Sequence, residues 1–175
     1  VCTENGVTLY LSADFEVKRK ADELVVRADA LEFADPAFRE ELGYWIGQGA
    51  FGTSWLMSKI GKLAVTYLNM GSSISKKDTA LLMSSPVLGL ISTTRNDRTS
   101  QIKVGQVYQR LSLFAASFGI WCQPMSQILQ VETTQAETVQ LQPDPTLFPQ
   151  HPFRMGFATP EKHHTPRRTL GDTIR

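Results

Sequence analysis

The sequence predicts a fold that combines α-helices with a few β-strands, and three stretches carry that prediction. Residues 102–131 place apolar side chains at helical spacing, and Gly119 stands where the helix should end. Residues 87–94 form an apolar run bounded by Pro86 and a polar turn, which is typical of a strand inside a sheet. Residues 153–159 alternate between large apolar side chains and other residues, the period of a strand.

A short strand and two capped helices are predicted at the start of the chain. Residues 6–11 alternate as a strand does, and Ser12 is placed to cap the helix that follows. The apolar stripe of that helix runs through residues 17–31. Asp35 followed by Pro36 combines an N-cap acceptor with a proline at the first helical position, which predicts a second helix.

Two more helices are predicted before the strand at 87–94. A third helix is predicted over 54–70, with Gly71 as its stop, and a short fourth helix follows a loop at about 78–83. After the long helix, Pro124 suits the first turn of a new short helix. The Thr-, Gln- and Pro-rich segment 132–150 is predicted to be a surface loop.

Length and charge limit the classes of function. The chain has 175 residues, enough for one domain spanning 1–175, with an extended tail at 160–175. Eighteen basic and 17 acidic residues leave a formal charge of +1, which favours neither nucleic acid nor an anionic membrane as partner. Two distant cysteines indicate a cytoplasmic protein with reduced thiols. Because the chain opens without methionine, we expect it to be the C-terminal part of a longer protein or a processed form.

Most familiar catalytic and metal-binding signatures are absent from the sequence. The glycines of GQGAFG follow a helix rather than a strand, so they do not form a dinucleotide-binding turn. No nucleophile elbow and no spaced pair of acids predicts a catalytic residue. His163 and His164 are adjacent in an extended tail and point apart, which predicts no shared metal. Cys122 could be a reactive thiol, although a buried small hydrophobe is the commoner case.

Arg167 and Arg168 are the strongest candidates for binding a ligand. Two guanidinium groups after a proline can hold a phosphate through bidentate, charge-assisted hydrogen bonds. The alternative is a pair of solvated charges in the tail. The residues alone leave both interpretations open.

Four stretches, taken in order, resemble the nitroreductase-like family of flavoproteins, and most closely its branch of mycobacterial Acg-type proteins. They are FREELGYWI (38–46), SSPVLGLISTT (84–94), VGQVYQRLSLFAASFGIWCQPMSQ (104–127) and FRMGFATPEKHHTPRRTL (153–170). The resemblance implies an α+β fold with a central, mainly antiparallel sheet flanked by helices. It also implies two intertwined subunits with FMN at their interface.

The same resemblance assigns a cofactor site. Arg167 and Arg168 would reach the flavin phosphate. Gln123, Pro124, Met125 and Ser126 would form a turn beside the isoalloxazine ring, where backbone N–H groups could stabilise negative charge. In redox-active members, hydride passes from NAD(P)H to the flavin and then to a nitro or quinone acceptor. No catalytic acid is implied, because the protein supplies placement and electrostatics.

One departure from the family keeps other functions open. The Arg-rich N-terminal motif that holds the phosphate in family members has no counterpart in residues 1–35. A non-catalytic flavin-binding or storage protein and a cofactor-free interaction domain of the same fold are therefore alternatives to the oxidoreductase. The apolar helix predicted at 54–70 carries few charges, so we also expect a homodimer.

Overall fold

The computed structural model describes residues 2–4, 6–49, 55–67, 71–159 and 171. The strands are β1 Cys2–Glu4, β2 Val7–Ser12, β3 Val87–Thr93, β4 Ile120–Pro124 and β5 Phe148–Phe157. The helices are α1 Phe15–Ala34, α2 Pro36–Gly47, α3 Trp55–Tyr67, α4 Gly71–Ser84, α5 Arg98–Ala116, α6 Gln127–Gln130 and α7 Glu132–Glu137. A 3₁₀ turn, Thr138–Leu141, follows α7.

The strands form one antiparallel sheet in the order β1-β2-β3-β5-β4. Strand β3 lies in the middle and is buried from Leu88 to Thr93, as its apolar sequence predicted. The predicted α+β class, with an antiparallel sheet flanked by helices, is confirmed. Strand β4 lies at an edge of the sheet, so one side of it has no neighbour among the described strands.

The chain divides into two compact units. The first comprises residues 1–32 and 71–158 and contains the sheet, and the second comprises residues 33–70 and 159–175 and contains the α2–α3 pair. The single domain expected over 1–175 stays a prediction. The tail expected at 160–175 lies outside the described residues, apart from Gly171.

Apolar side chains cover both faces of the sheet within the first unit. On one face, Leu88 and Leu90 of β3 pack in a cluster with residues of α1, α4 and α6. On the other, Ile91 of β3 and Phe153 of β5 pack with Val104 of α5. Burial on both faces explains why β3 reads as a continuous apolar run rather than an alternating one.

The predicted start of α2 is confirmed, but the predicted cap of α1 is wrong. Asp35 Oδ1 accepts a hydrogen bond from the Ala37 N–H at 2.9 Å, ahead of α2. At α1 the cap is Asp14, whose Oδ1 accepts from the Glu16 N–H at 2.7 Å. Ser12 cannot serve as the cap because it is still the last residue of β2.

Two segments are more helical than the sequence predicted. Gly71 begins α4 instead of ending a helix, and α4 extends well beyond the predicted 78–83. The segment 132–150, predicted to be a surface loop, contains α7 and the 3₁₀ turn. Thr134 and Thr138 are fully buried there, and their hydroxyls donate to backbone carbonyls at 2.8–3.0 Å. These internal bonds let polar side chains enter the core, which composition alone does not show.

A buried carboxyl lies between α1 and α4. Asp29 is only 3% exposed, and Ser75 Oγ of α4 donates to its Oδ2 at 3.2 Å. Burial is the largest cause that raises the pKa of Asp29 to about 6, and the charges of Asp78 and Asp22 add to the rise. The hydrogen bond from Ser75 opposes it. Burial and the Asp29 charge also raise the pKa of Glu32 to about 7.

We expect Asp29→Asn to stabilise the protein at neutral pH by about 2 kcal/mol and to have no effect near pH 4. The folded carboxyl keeps its proton up to about pH 6, whereas an unperturbed aspartate has a pKa of 3.8, so the folded state binds more protons than the unfolded state between these two values. The free energy of unfolding therefore falls as pH rises through the window. Urea unfolding at several pH values measures it. Glu40→Gln, on an exposed side chain of α2, controls for net charge. An equal gain at both ends of the pH range would contradict the prediction.

Candidate functional site

The four residues predicted to lie beside a cofactor form the end of an edge strand and the approach to α6. Gly119, at φ 72°, reverses the chain after α5, as predicted. Gln123 and Pro124 then end β4, Met125 is buried, and Ser126 precedes α6. The prediction that Pro124 opens a helix is wrong, because residues 120–124 pair with β5.

The backbone donors of this segment are fewer than the sequence suggested. The Met125 N–H donates to the Pro152 carbonyl at 2.9 Å, and Pro124 has no N–H. The exposed polar groups are the side chains of Gln123 and Ser126, and the Ser126 hydroxyl makes no capping bond to α6. Donors from this segment to a ligand would therefore include the side chains of Gln123 and Ser126.

Arg154 of β5 connects this segment to the end of α4. Its Nη1 donates to the Leu81 carbonyl at 2.7 Å and to Ser85 Oγ at 3.3 Å. Its Nη2 donates to Gln123 Oε1. In the sequence, Arg154 is only one of the residues that alternate with large apolar side chains in 153–159. Only the Arg-Met-Gly motif of the strand could have drawn attention to Arg154, because the residues that bind Arg154 are distant along the chain.

The surroundings of Arg154 combine charge with partial burial. Burial lowers the pKa of Arg154, and the carboxylate of Asp78 opposes that shift. Burial raises the pKa of Asp78, while the cations of Arg154 and Lys77 oppose the rise. The guanidinium remains charged at neutral pH, so its hydrogen bonds are charge-assisted.

A small cavity of about 30 Å³ adjoins the segment and is lined in part by Asp78, Gln123 and Arg154. Pockets for cofactor-sized ligands usually measure about 300–1,000 Å³. A flavin ring therefore does not fit inside this cavity. A ligand of that size would have to lie on the exposed side of the segment, where the side chains of Gln123 and Ser126 are accessible beside Pro124.

A larger cleft of about 470 Å³ lies elsewhere in the first unit, between α7, Asn96 and the start of β5. Its size suits a small molecule, but its lining residues include the carboxylate of Glu132 and neither Lys nor Arg. A phosphate group would meet a negative charge there without a compensating cation. The cleft contains none of the predicted site residues.

Cys122 behaves as a packing residue rather than as a nucleophile. It is half-buried against Tyr108 and other residues of the layer between α5 and the sheet. Burial raises the pKa of its thiol, and a hydrogen bond with Ser112 opposes the shift only in part. A thiol with a raised pKa holds little thiolate at neutral pH.

Arg167 and Arg168, together with His163 and His164, lie outside the described residues. Their predicted contacts with a phosphate stay predictions. Over the ranges 2–4, 6–49, 55–67 and 71–159, no helix is long and apolar enough to cross a membrane.

Comparison with known proteins shows the fold. No protein-family model and no curated protein matches the sequence. Among solved structures, the chain is similar to the FMN-dependent nitroreductase NfnB from Mycobacterium smegmatis, in a complex with NADPH. The TM-score is 0.60 over 97% of this chain and 78% of that chain, with 14% sequence identity. The likeness shows a nitroreductase-like fold.

Proposed function

We propose that the protein is an FMN-binding oxidoreductase that passes a hydride from NAD(P)H through flavin to a small nitro or quinone acceptor in the cytoplasm. The observation that carries the proposal is the segment 123–126 at the edge of the sheet, exposed except at Met125, in a chain whose fold is like that of an FMN-dependent nitroreductase. At 14% identity, the likeness supports the general kind of chemistry rather than a particular substrate.

The chain's own residues would bind and orient the cofactor. Gln123 and Ser126 would donate hydrogen bonds to the ring, and Pro124 would support its apolar face. Met125, which is buried in the core, would support the turn from within. Arg167 and Arg168 would bind the phosphate. When bound, FMN would supply the hydride chemistry, which needs no catalytic acid from the protein.

A non-catalytic flavin-binding or storage protein is the second candidate. The missing Arg-rich motif in residues 1–35 favours it, since fewer cations would hold the phosphate. This is also the behaviour expected if the chain belongs to the Acg-type branch. A cofactor-free interaction domain of the same fold is the remaining alternative, and a protein that gains no thermal stability from FMN would indicate it.

An absorbance spectrum tests the proposal most directly. The purified chain is saturated with FMN, desalted and measured before and after. We expect flavin bands to remain at about one FMN per chain, and NAD(P)H to be oxidised when a quinone is added. Retained flavin without turnover would indicate the storage function. If no flavin is retained, both flavin proposals fail for residues 1–175.

We further propose a homodimer, supported by apolar surface on each unit. Helix α3 exposes Met57, Ile60, Leu63 and Tyr67, which recur at helical spacing along one face. The end of α5 and the adjoining strands expose Phe114, Phe118, Trp121 and Phe157. Patches of this kind usually mark interaction surfaces.

Replacing Ile60 and Leu63 together by aspartate is expected to convert the dimer into monomer, because two charges would be buried in the interface. Sedimentation at micromolar concentration measures the change. An unchanged helical circular dichroism signal would show that the variant still folds. A wild-type chain that sediments as a monomer would overturn both the dimer and a flavin site at its interface.

A further inference from the structure

The side-chain amide of Gln123 is held in one orientation by Arg154. Nη2 of Arg154 donates to Oε1 of Gln123. A guanidinium has N–H donors and no acceptor, so only the amide oxygen can face it. The NH₂ group of Gln123 therefore points away from Arg154. Among the described residues it has no acceptor, and the side chain is exposed.

Arg154 is itself fixed from the opposite side. Its Nη1 bonds to the Leu81 carbonyl and to Ser85 Oγ hold the guanidinium against the last turn of α4. The Ser85 carbonyl, in turn, accepts from Lys18 Nζ at 3.4 Å. Since both ends of the planar group are engaged, the guanidinium cannot follow a rotation of Gln123.

We propose that Arg154 is a positioning residue that presents the Gln123 NH₂ group to a ligand seated on residues 123–126. The ligand is one with an electron-rich carbonyl edge. This inference rests on the proposed function, in which that edge is the pyrimidine side of FMN. A donor already held in place stabilises added negative charge without reorganisation, so it favours the reduced flavin over the oxidised one.

Arg154 also has a structural role that must be separated from this one. Its bond to the Leu81 carbonyl places a cation at the C-terminus of α4, which stabilises the helix by itself. Loss of that bond would lower the unfolding temperature whether or not Gln123 is involved. Only the positioning role makes the effect of Arg154 on a ligand depend on Gln123.

A double-mutant cycle on the FMN-loaded chain separates the two roles. The variants are Gln123→Leu, which removes the amide, Arg154→Lys, which keeps the charge but not the planar fork, and their combination. Gln127→Leu is the matched control, because Gln127 lines the same cavity without a bond to Arg154. The readouts are the Kd of FMN, the midpoint potential and the unfolding temperature.

We expect both single variants to weaken binding of reduced FMN about tenfold more than binding of oxidised FMN. That difference lowers the midpoint potential by about 30 mV. The double variant should bind FMN no worse than Gln123→Leu alone, and Gln127→Leu should leave the potential unchanged. Independent, additive effects in the double variant, or unchanged potentials in the single ones, would overturn the proposal.

A measurement without FMN distinguishes failure of this inference from failure of the proposed function. In the cofactor-free chain, ¹⁵N relaxation of the Gln123 side-chain NH₂ should report a rigid group in the wild type and a mobile one in Arg154→Lys. A mobile wild-type group would overturn the positioning by Arg154, even if FMN binds. A rigid group in a chain that retains no FMN would support the positioning and reject the flavin function alone.

Discussion

Replacing Gly89 by alanine is expected to lower the free energy of unfolding by about 3 kcal/mol. Gly89 of β3 pairs directly with Phe153 of β5, and the phenyl ring lies across the glycine. An added Cβ would lie 2.1 Å from Cζ and 2.4 Å from Cε1 of that ring. Phe153 is completely buried and contacts Tyr108 of α5 at a centroid distance of 5.4 Å, so a displaced ring would press on packed neighbours.

Denaturant unfolding of Gly89→Ala, compared with Gly105→Ala, measures this effect. Gly105 lies in α5, and a Cβ added there would meet no atom within 4 Å apart from its chain neighbours and the backbone of its own helix. Alanine at this position should stabilise the protein by about 0.5–1 kcal/mol, because it is the better helix former. If both substitutions had similar small effects, the close contact between Gly89 and Phe153 would be refuted.

Replacing Arg167 and Arg168 together by alanine is expected to weaken FMN binding by about 3–6 kcal/mol, at about 1.5–3 kcal/mol for each charged hydrogen bond. Under the proposed function both guanidinium groups bind the phosphate, which carries most of the charge of the cofactor. Arg→Lys at both positions should recover only part of the loss, since lysine cannot form the bidentate contact. Fluorescence titration of FMN measures the affinities.

Lys162→Ala provides the control for charge in the same tail. It removes one positive charge near the two arginines, so a general electrostatic effect would appear in this variant as well. An affinity that is unchanged in the double alanine variant would remove Arg167 and Arg168 from the phosphate site. It would leave the proposed role of residues 123–126 to be decided by the spectrum and the Gln123 variants.

The sequence was sufficient to predict those elements that depend on residues close together in the chain. The Asp35-Pro36 pair was sufficient to place the start of α2, and Gly119 to place the turn after α5. The continuous apolar run of β3 placed that strand in the middle of the sheet, because both faces of it had to be buried. In each case, the cause of the structure lies in the residues of the element itself.

The sequence prediction for the start of β5 was wrong because contacts with residues far away in the chain decide where this strand begins. Strand β5 begins at Phe148, earlier than the predicted 153, and includes Pro149 and Pro152. Prolines argue against a strand, but β4 pairs with β5 only from Phe153 onward, so neither proline removes an N–H from the β4–β5 ladder. On that side, Pro152 contributes only its carbonyl, which accepts from the Met125 N–H. The buried threonines of 132–150 are a different case, because carbonyls only three to six residues earlier in the chain accept their hydroxyls.

At the candidate site, too, one part could be predicted from the sequence and another part could not. The sequence identified residues 123–126 as a segment of interest, through the resemblance of their motif. It could not identify Arg154 as their partner, because Arg154 is 31 residues from Gln123 and 73 residues from Leu81. Hydrogen bonds over such separations exist only after the sheet has brought β4 and β5 together beside the end of α4. The sequence thus predicted which residues would bind a ligand, and the tertiary structure alone decided how Gln123 is held.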